Sequence, residues 1–205
     1  MFSEKINHQY QEIPDTSNSL VLNGYFQSYK YFQDKFSEIC DIIKLNDLQQ
    51  TIFNEYGQEY LKDKSTTVSL HFRRGDYGKE IRVPLEYYID VLENFKDKSY
   101  TILCFYEQQN EVEIQQYIHL LSLKFPMLYF KPVSHSIPDW KQLLLMSLCK
   151  YNIIANSSFS WWGAYLNQDP EKVVYYPYHK SGNDISDMYP QSWIRMLTDV
   201  HGLDG

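Results

Sequence analysis

From residue 68 onward, short apolar runs alternate with segments whose apolar positions recur every three or four residues. Val68–Phe72 reads as a strand and Leu85–Phe95 as a helix opened by Pro84, whose fixed backbone suits the first turn. Thr101–Tyr106 reads as a second strand, and Glu111–Lys124 as a helix closed by Pro126. The alternation continues with a short strand over Leu128–Lys131, a helix over Asp139–Cys149 and a strand over Tyr151–Ala155. A helix over Ser158–Leu166, a strand over Val173–Tyr176 and a last helix over Pro190–Leu197 complete it. Strands separated in this way by helices form a parallel sheet with both faces covered. The expected fold class is therefore α/β, a Rossmann-like parallel sheet covered by helices. The earlier part follows another pattern: Met1–Asn18 is polar and expected to be loose, while Tyr25–Lys62 reads as mostly helical with a break near Leu45–Asp47. This divides the chain into a mostly helical N-terminal segment (1–66), a Rossmann-like domain (67–200) and a short tail (201–205).

Composition narrows the function. Hydrophobic residues make up 43% of the 205, enough for a real core, and 19 tyrosines raise the aromatic share to 17%. Tyrosine has an apolar face and a polar tip, so it suits core edges and sugar-binding clefts alike. A net charge of −7 argues against a general nucleic-acid binder, which needs a basic face. No run approaches the length of a membrane span, and the N-terminus is too polar for a signal peptide. Three cysteines without metal-like spacing, two of them (Cys104 and Cys149) in apolar surroundings, fit buried thiols in a reducing compartment. A cytoplasmic location follows as the expectation, with peripheral membrane association left open.

Against this background two segments stand out, Val68–Tyr77 and Ile153–Asn167. Both alanines of the chain, Ala155 and Ala164, fall in the second, and two of its four arginines, Arg73 and Arg74, stand side by side in the first. Ligands of open parallel sheets bind outside the carboxyl ends of the strands, where both segments place their unusual residues. An arginine fork presents two parallel N–H donors to phosphate oxygens, and Gly75 lets the backbone turn sharply. Adjacent strand side chains point oppositely, so one arginine should reach a phosphate while the other pairs with Asp76 or a helix end. In the second segment Asn156, Ser157 and Ser158 open a helix, with Ser160 on its first turn. A serine or asparagine cap is expected there, and the free first-turn N–H groups make an anion site. His71 is a candidate nucleotide contact. No His, Cys or carboxylate cluster has metal spacing, and no glycine-rich phosphate loop is present.

At these residues the chain resembles glycosyltransferase family 11, the α-1,2-fucosyltransferases that take fucose from GDP-fucose. The likeness is carried by His71-Phe72-Arg73-Arg74-Gly75-Asp76-Tyr77 and by Leu145–Lys150 leading into Asn152–Ala164. Asn23–Ser28 with Lys30-Tyr31-Phe32, and Tyr189-Pro190 with Trp193, extend it in the family's order over roughly residues 20–198. The resemblance implies a two-lobed GT-B-like fold whose donor lobe is the sheet domain, an inverting reaction and no need for a metal or cofactor. It implies that Arg73, with Arg74 beside it, neutralises the β-phosphate of the departing GDP. Asn156, Ser157, Ser158, Phe159 and Ser160 line the donor site, and His71 contacts the nucleoside. The base that takes the acceptor hydroxyl proton is expected among the nearest carboxylates, Asp76 and Glu80. The partners implied are a nucleotide-sugar and a galactoside-type glycan. Two departures matter. The family's early glycine-rich segment has no counterpart, which opens the alternative of a weak or inactive nucleotide-sugar-binding module completed by a partner chain or by self-association. After the 101–106 strand the family's Ser-Asp-Asp is replaced by Tyr106-Glu107-Gln108, which opens the alternative of another nucleotide-sugar, with Glu107 as the substitute carboxylate.

Overall fold

The computed structural model describes residues 1–5, 8–179 and 185–198; the expected tail over 201–205 lies outside them. Contacts divide the chain into two compact units, the described residues of 1–45 with 181–193, and those of 46–180 with 194–205.

In the first unit, β1 (Phe2–Ser3) pairs in parallel with β2 (Leu22–Asn23), and α1 spans Phe36–Ile42. The expected loose N-terminus is thus tied down. Glu4 accepts the N–H of Tyr25 at 2.8 Å, and Asp187 gathers the rest. Its carboxylate accepts the Tyr10 N–H at 2.9 Å and pairs with Lys30, while its carbonyl accepts the Ser28 hydroxyl at 2.6 Å. Two-residue strands and a hub some 160 positions downstream leave no periodic trace in sequence, which is why the polar stretch reads as loose. The expected helical region begins instead with single 3₁₀ turns at Tyr29–Tyr31 and Gln33–Lys35, before α1.

The second unit holds α2 (Leu45–Tyr60) and a six-stranded sheet. The strands are β3 (Thr67–Phe72), β4 (Tyr100–Tyr106), β5 (Leu128–Pro132), β6 (Tyr151–Ile153), β7 (Val173–His179) and β8 (Ile194–Thr198). The helices are α3 (Leu85–Leu92), α4 (Glu111–Lys124), α5 (Asp139–Met146) and α6 (Ser158–Tyr165). All sheet pairings are parallel, in the order β5-β4-β3-β6-β7-β8. The expected helix over Pro190–Leu197 is instead strand β8. Trp193, Met196 and Leu197 fall at helical spacing, but so short a segment also fits an edge strand, and the open side of β7 supplies backbone partners from Tyr175 to His179.

Val68, Leu70 and Phe72 of β3 face a core completed by Tyr87, Tyr88 and Val91 of α3 and by Ile114, Ile118 and Leu121 of α4. Burying each such large side chain contributes about 1.5–3 kcal/mol, so this face anchors the sheet. Both tyrosines find acceptors for their hydroxyls. Tyr88 donates to the His71 carbonyl at 2.9 Å, and Tyr87 lies within reach of the carbonyls of Ile154 (2.8 Å) and Tyr175 (3.1 Å). Cys40, Cys104 and Cys149 are free and buried.

The opposite face is polar at its centre. Asn152 of β6 donates to the Ser69 hydroxyl (2.7 Å) and the Met146 carbonyl (2.9 Å), and it accepts from Asn167 (3.1 Å). Gln49 of α2 donates to the Ser147 hydroxyl at 2.8 Å. These buried bonds hold β3, β6 and the connections around them in register. Asn152→Ala removes the shared member and strands its partners away from water. It is expected to lower unfolding free energy by about 2–3 kcal/mol, read from the urea midpoint. An unchanged midpoint would make the network incidental.

Candidate functional site

The strand order runs outward from the centre in two directions, β3 to β5 on one side and β6 to β8 on the other. The reversal lies between β3 and β6. In open parallel sheets ligands lodge at such a reversal, outside the carboxyl ends of the strands. The two segments singled out by sequence are the continuations of these two strands. They also touch. The Tyr77 hydroxyl donates to the Asn156 carbonyl at 3.1 Å, the Asn156 amide donates to the Ile81 carbonyl at 2.6 Å, and the His71 ring lies 5.6 Å from the Phe159 ring.

Strand alternation separates the two arginines as expected. Arg74 follows Phe72 to the helix-covered face, where its side chain is 3% exposed. It donates to the Val83 carbonyl at 2.8 Å, lies 3.1 Å from Glu113 of α4 and stacks over the Tyr117 ring. Arg73 stands at the crevice, held by Glu107, by Asp76 and by the Tyr77 ring at 4.6 Å. Burial disfavours its charge, but the Glu107 carboxylate outweighs that and raises its pKa. Burial likewise raises the Glu107 carboxyl, yet the Arg73 hydrogen bond and the Arg74 backbone N–H bring it below the usual carboxylate value. Gly75 sits at φ +33°, and a Cβ there would lie 2.7 Å from an Arg73 nitrogen and 2.9 Å from a Glu107 oxygen. Its N–H donates to the Asn110 side chain at 3.0 Å. Asp76 is 82% exposed, and Glu80 is exposed on the single turn Lys79–Ile81.

Along the second wall the structure alters the expected cap. Ser157 is the residue before α6, with extended backbone, but its side chain makes no capping bond. Ser160 reaches back instead. Its buried hydroxyl accepts the Ala155 N–H at 3.3 Å and donates to the Ser157 carbonyl at 3.4 Å, which fixes the approach to the helix. The first-turn N–H groups have no acceptors within a helix, and exposed Ser158 and half-buried Phe159 stand beside them. Trp161 is buried and stacks on Tyr165, while Gly163 lets α6 close on α5, where an added Cβ would lie 2.9 Å from Met146.

Two buried polar atoms at this crevice have no hydrogen-bond partner, His71 Nδ1 and Asn156 Oδ1. Burial drives the His71 pKa down to about 4, with Glu107 opposing and Arg73 adding to the shift, so the ring is neutral at pH 7. Unpaired buried groups are costly, and a bound ligand is one source of the missing partner. By contrast, a groove of about 440 Å³ at the amino ends of β3, β6 and β7 has its polar walls already engaged. Gln49 bonds Ser147, Lys150 bonds Asp169, and Asn167 bonds Cys149 and Asn152. Sequence reading missed Tyr77 as a bridge and Asn110 as a loop support, since both act through partners distant in the chain. Among the described residues no three His, Cys, Asp or Glu side chains are placed to hold a metal ion, and no helix is long and apolar enough to cross a membrane.

The sequence pattern described as Glycosyl transferase family 11 matches residues 2–196. An Escherichia coli O-antigen biosynthesis glycosyltransferase, WbnK, is 28% identical over 191 residues, covering 87% of this chain and 61% of the relative. An Escherichia coli alpha-1,2-colitosyltransferase is 27% identical over 213 residues, covering 95% and 67%. The chain therefore spans only about three fifths to two thirds of these relatives. Among solved structures, E. coli ADP-heptose lps heptosyltransferase II aligns with a TM-score of 0.53 at 13% identity, over 73% of this chain and 43% of that one. That likeness shows the fold, of the GT-B kind expected from sequence.

Proposed function

Since the chain belongs to glycosyl transferase family 11, we propose that it transfers L-fucose from GDP-fucose to a galactoside-type glycan end, with inversion and without a metal. The observation that supports this most is that the segment carrying Arg73 and the segment opening α6 adjoin where the strand order reverses, Tyr77 bonding the Asn156 carbonyl and His71 lying beside Phe159. In an inverting transfer, the acceptor hydroxyl oxygen bonds to the anomeric carbon as the bond from that carbon to the β-phosphate oxygen breaks. The phosphate keeps the electron pair, and the hydroxyl proton passes to a base. In this reading Arg73 meets the charge that develops on the phosphate, a term that is usually large. The first-turn N–H groups of α6, with Ser158 beside them, supply further donors. In the same reading the nucleoside is contacted by His71, which is neutral and has an unpartnered ring nitrogen. Asp76 and Glu80 are the candidate bases, carried on the same loop as Arg73. The relative named for colitosyl transfer supports a second reading, in which the donor carries a different sugar.

The test is calorimetric titration of the purified chain with GDP-fucose, GDP and UDP, without added metal. Micromolar binding of both guanine nucleotides and not of UDP is expected, followed by transfer in a screen of galactoside acceptors. Binding without transfer to any acceptor would point to a donor-binding module that needs a partner chain. No binding of any nucleotide would end the donor reading.

A further inference from the structure

Given the nucleoside-diphosphate donor proposed above, on which this rests, we infer that Glu107 is the positioning residue for Arg73, while Asp76 is a placeholder that the donor's β-phosphate displaces. Register brings the first two together. Phe72 of β3 pairs with Tyr106 of β4, so Arg73 and Glu107 are the first positions beyond the ends of adjacent strands. One guanidinium nitrogen goes to Glu107 and the other to Asp76, with the Tyr77 ring beneath the fork.

The two carboxylates are not equivalent. Glu107 is half-buried, and its second oxygen accepts the Arg74 N–H at 3.3 Å, so it is fixed to the backbone of the same loop. Asp76 is 82% exposed, and among the described residues its carboxylate makes no other ion pair. Exchanging an exposed carboxylate for another anion costs little, since such pairs are weak in water. Exchanging Glu107 would leave a half-buried charge without its counter-charge, which is much less favourable. An incoming phosphate therefore takes the place of Asp76 and leaves Glu107 in position. Gly75 adds support. A side chain there would strike both members of the Arg73–Glu107 pair, and its backbone is already turned to positive φ. The carboxylate that departs from the family's Ser-Asp-Asp thus serves the arginine that meets the phosphate, and not the nucleobase.

The experiment is calorimetry with GDP and GMP, at one salt concentration, on the intact chain and on Glu107→Gln, Asp76→Asn and Gly75→Ala. Glu107→Gln is close to isosteric and is expected to weaken GDP tenfold or more while changing GMP less than twofold, because only GDP carries the β-phosphate. Gly75→Ala, which crowds the same pair, should show the same GDP-selective loss and serves if Glu107→Gln fails to fold. Asp76→Asn removes the competing anion and is expected to tighten GDP severalfold. Equal losses for GDP and GMP in Glu107→Gln would place Glu107 on the nucleoside or in the fold, and the inference would be wrong. Unchanged GDP affinity in Glu107→Gln overturns it as well. If the intact chain binds neither nucleotide, the donor reading fails and takes the inference with it; binding by the intact chain with no GDP-selective loss in the variants sinks the inference alone.

Discussion

Arg73→Ala is expected to reduce donor-dependent turnover by about 10²–10³-fold, the loss that follows removal of one preorganised donor to developing negative charge. The guanidinium is held by Glu107 and by the Tyr77 ring, so little reorganisation accompanies the reaction. Alanine leaves no donor at that place. It also leaves Glu107 half-buried without its cation, so some stability is lost as well, and turnover must be compared at a temperature where thermal melting shows both proteins folded. Arg73→Lys keeps the charge but loses the fork that presents two parallel donors, and it should recover only a small part of the activity. The measurement is initial rate at saturating donor. Turnover within a few fold of the parent would remove Arg73 from the phosphate.

The second large effect concerns pH and stability. His71 has a folded-state pKa of about 4 against an ordinary 6.5, because burial opposes the charged ring. The unfolded chain therefore takes up a proton between these values where the folded chain does not. The contribution of neutral His71 is fully present above pH 6.5 and disappears as pH falls toward 4. At 1.36 kcal/mol per pKa unit the total is on the order of 3 kcal/mol. His71→Gln cannot charge. Its urea midpoint should fall more shallowly than the parent's between pH 7 and 4.5, the carboxylates being common to both. Parallel curves would mean that His71 charges freely in the folded chain.

How much of this was legible beforehand follows from the range of each signal. Leu85–Phe95 and Glu111–Lys124 were readable because apolar spacing, Pro84 and Pro126 act within a few residues. The opposed directions of Arg73 and Arg74 were readable from strand geometry, but not which of the two would be buried. That depends on α3 and α4 covering the Phe72 face, where Val83, Glu113 and Tyr117 wait for Arg74. The cap on α6 was misjudged because Ser160, three residues on, bonds the approach to the helix from inside.

Residue order alone set the alternation of strands and helices, the two segments that continue β3 and β6 with their unusual residues, and the pleat that splits the arginine pair. Each of these is a local property, written in period, residue type and neighbour. Only the tertiary structure decided that β3 lies beside β6 although residues 72 and 151 are far apart in the chain, that Ile194–Thr198 closes the sheet as a strand, and that Glu107 grips Arg73. Those outcomes depend on which backbone edges and which charges meet across the fold, and pairings of that range leave no periodic trace in the order of residues.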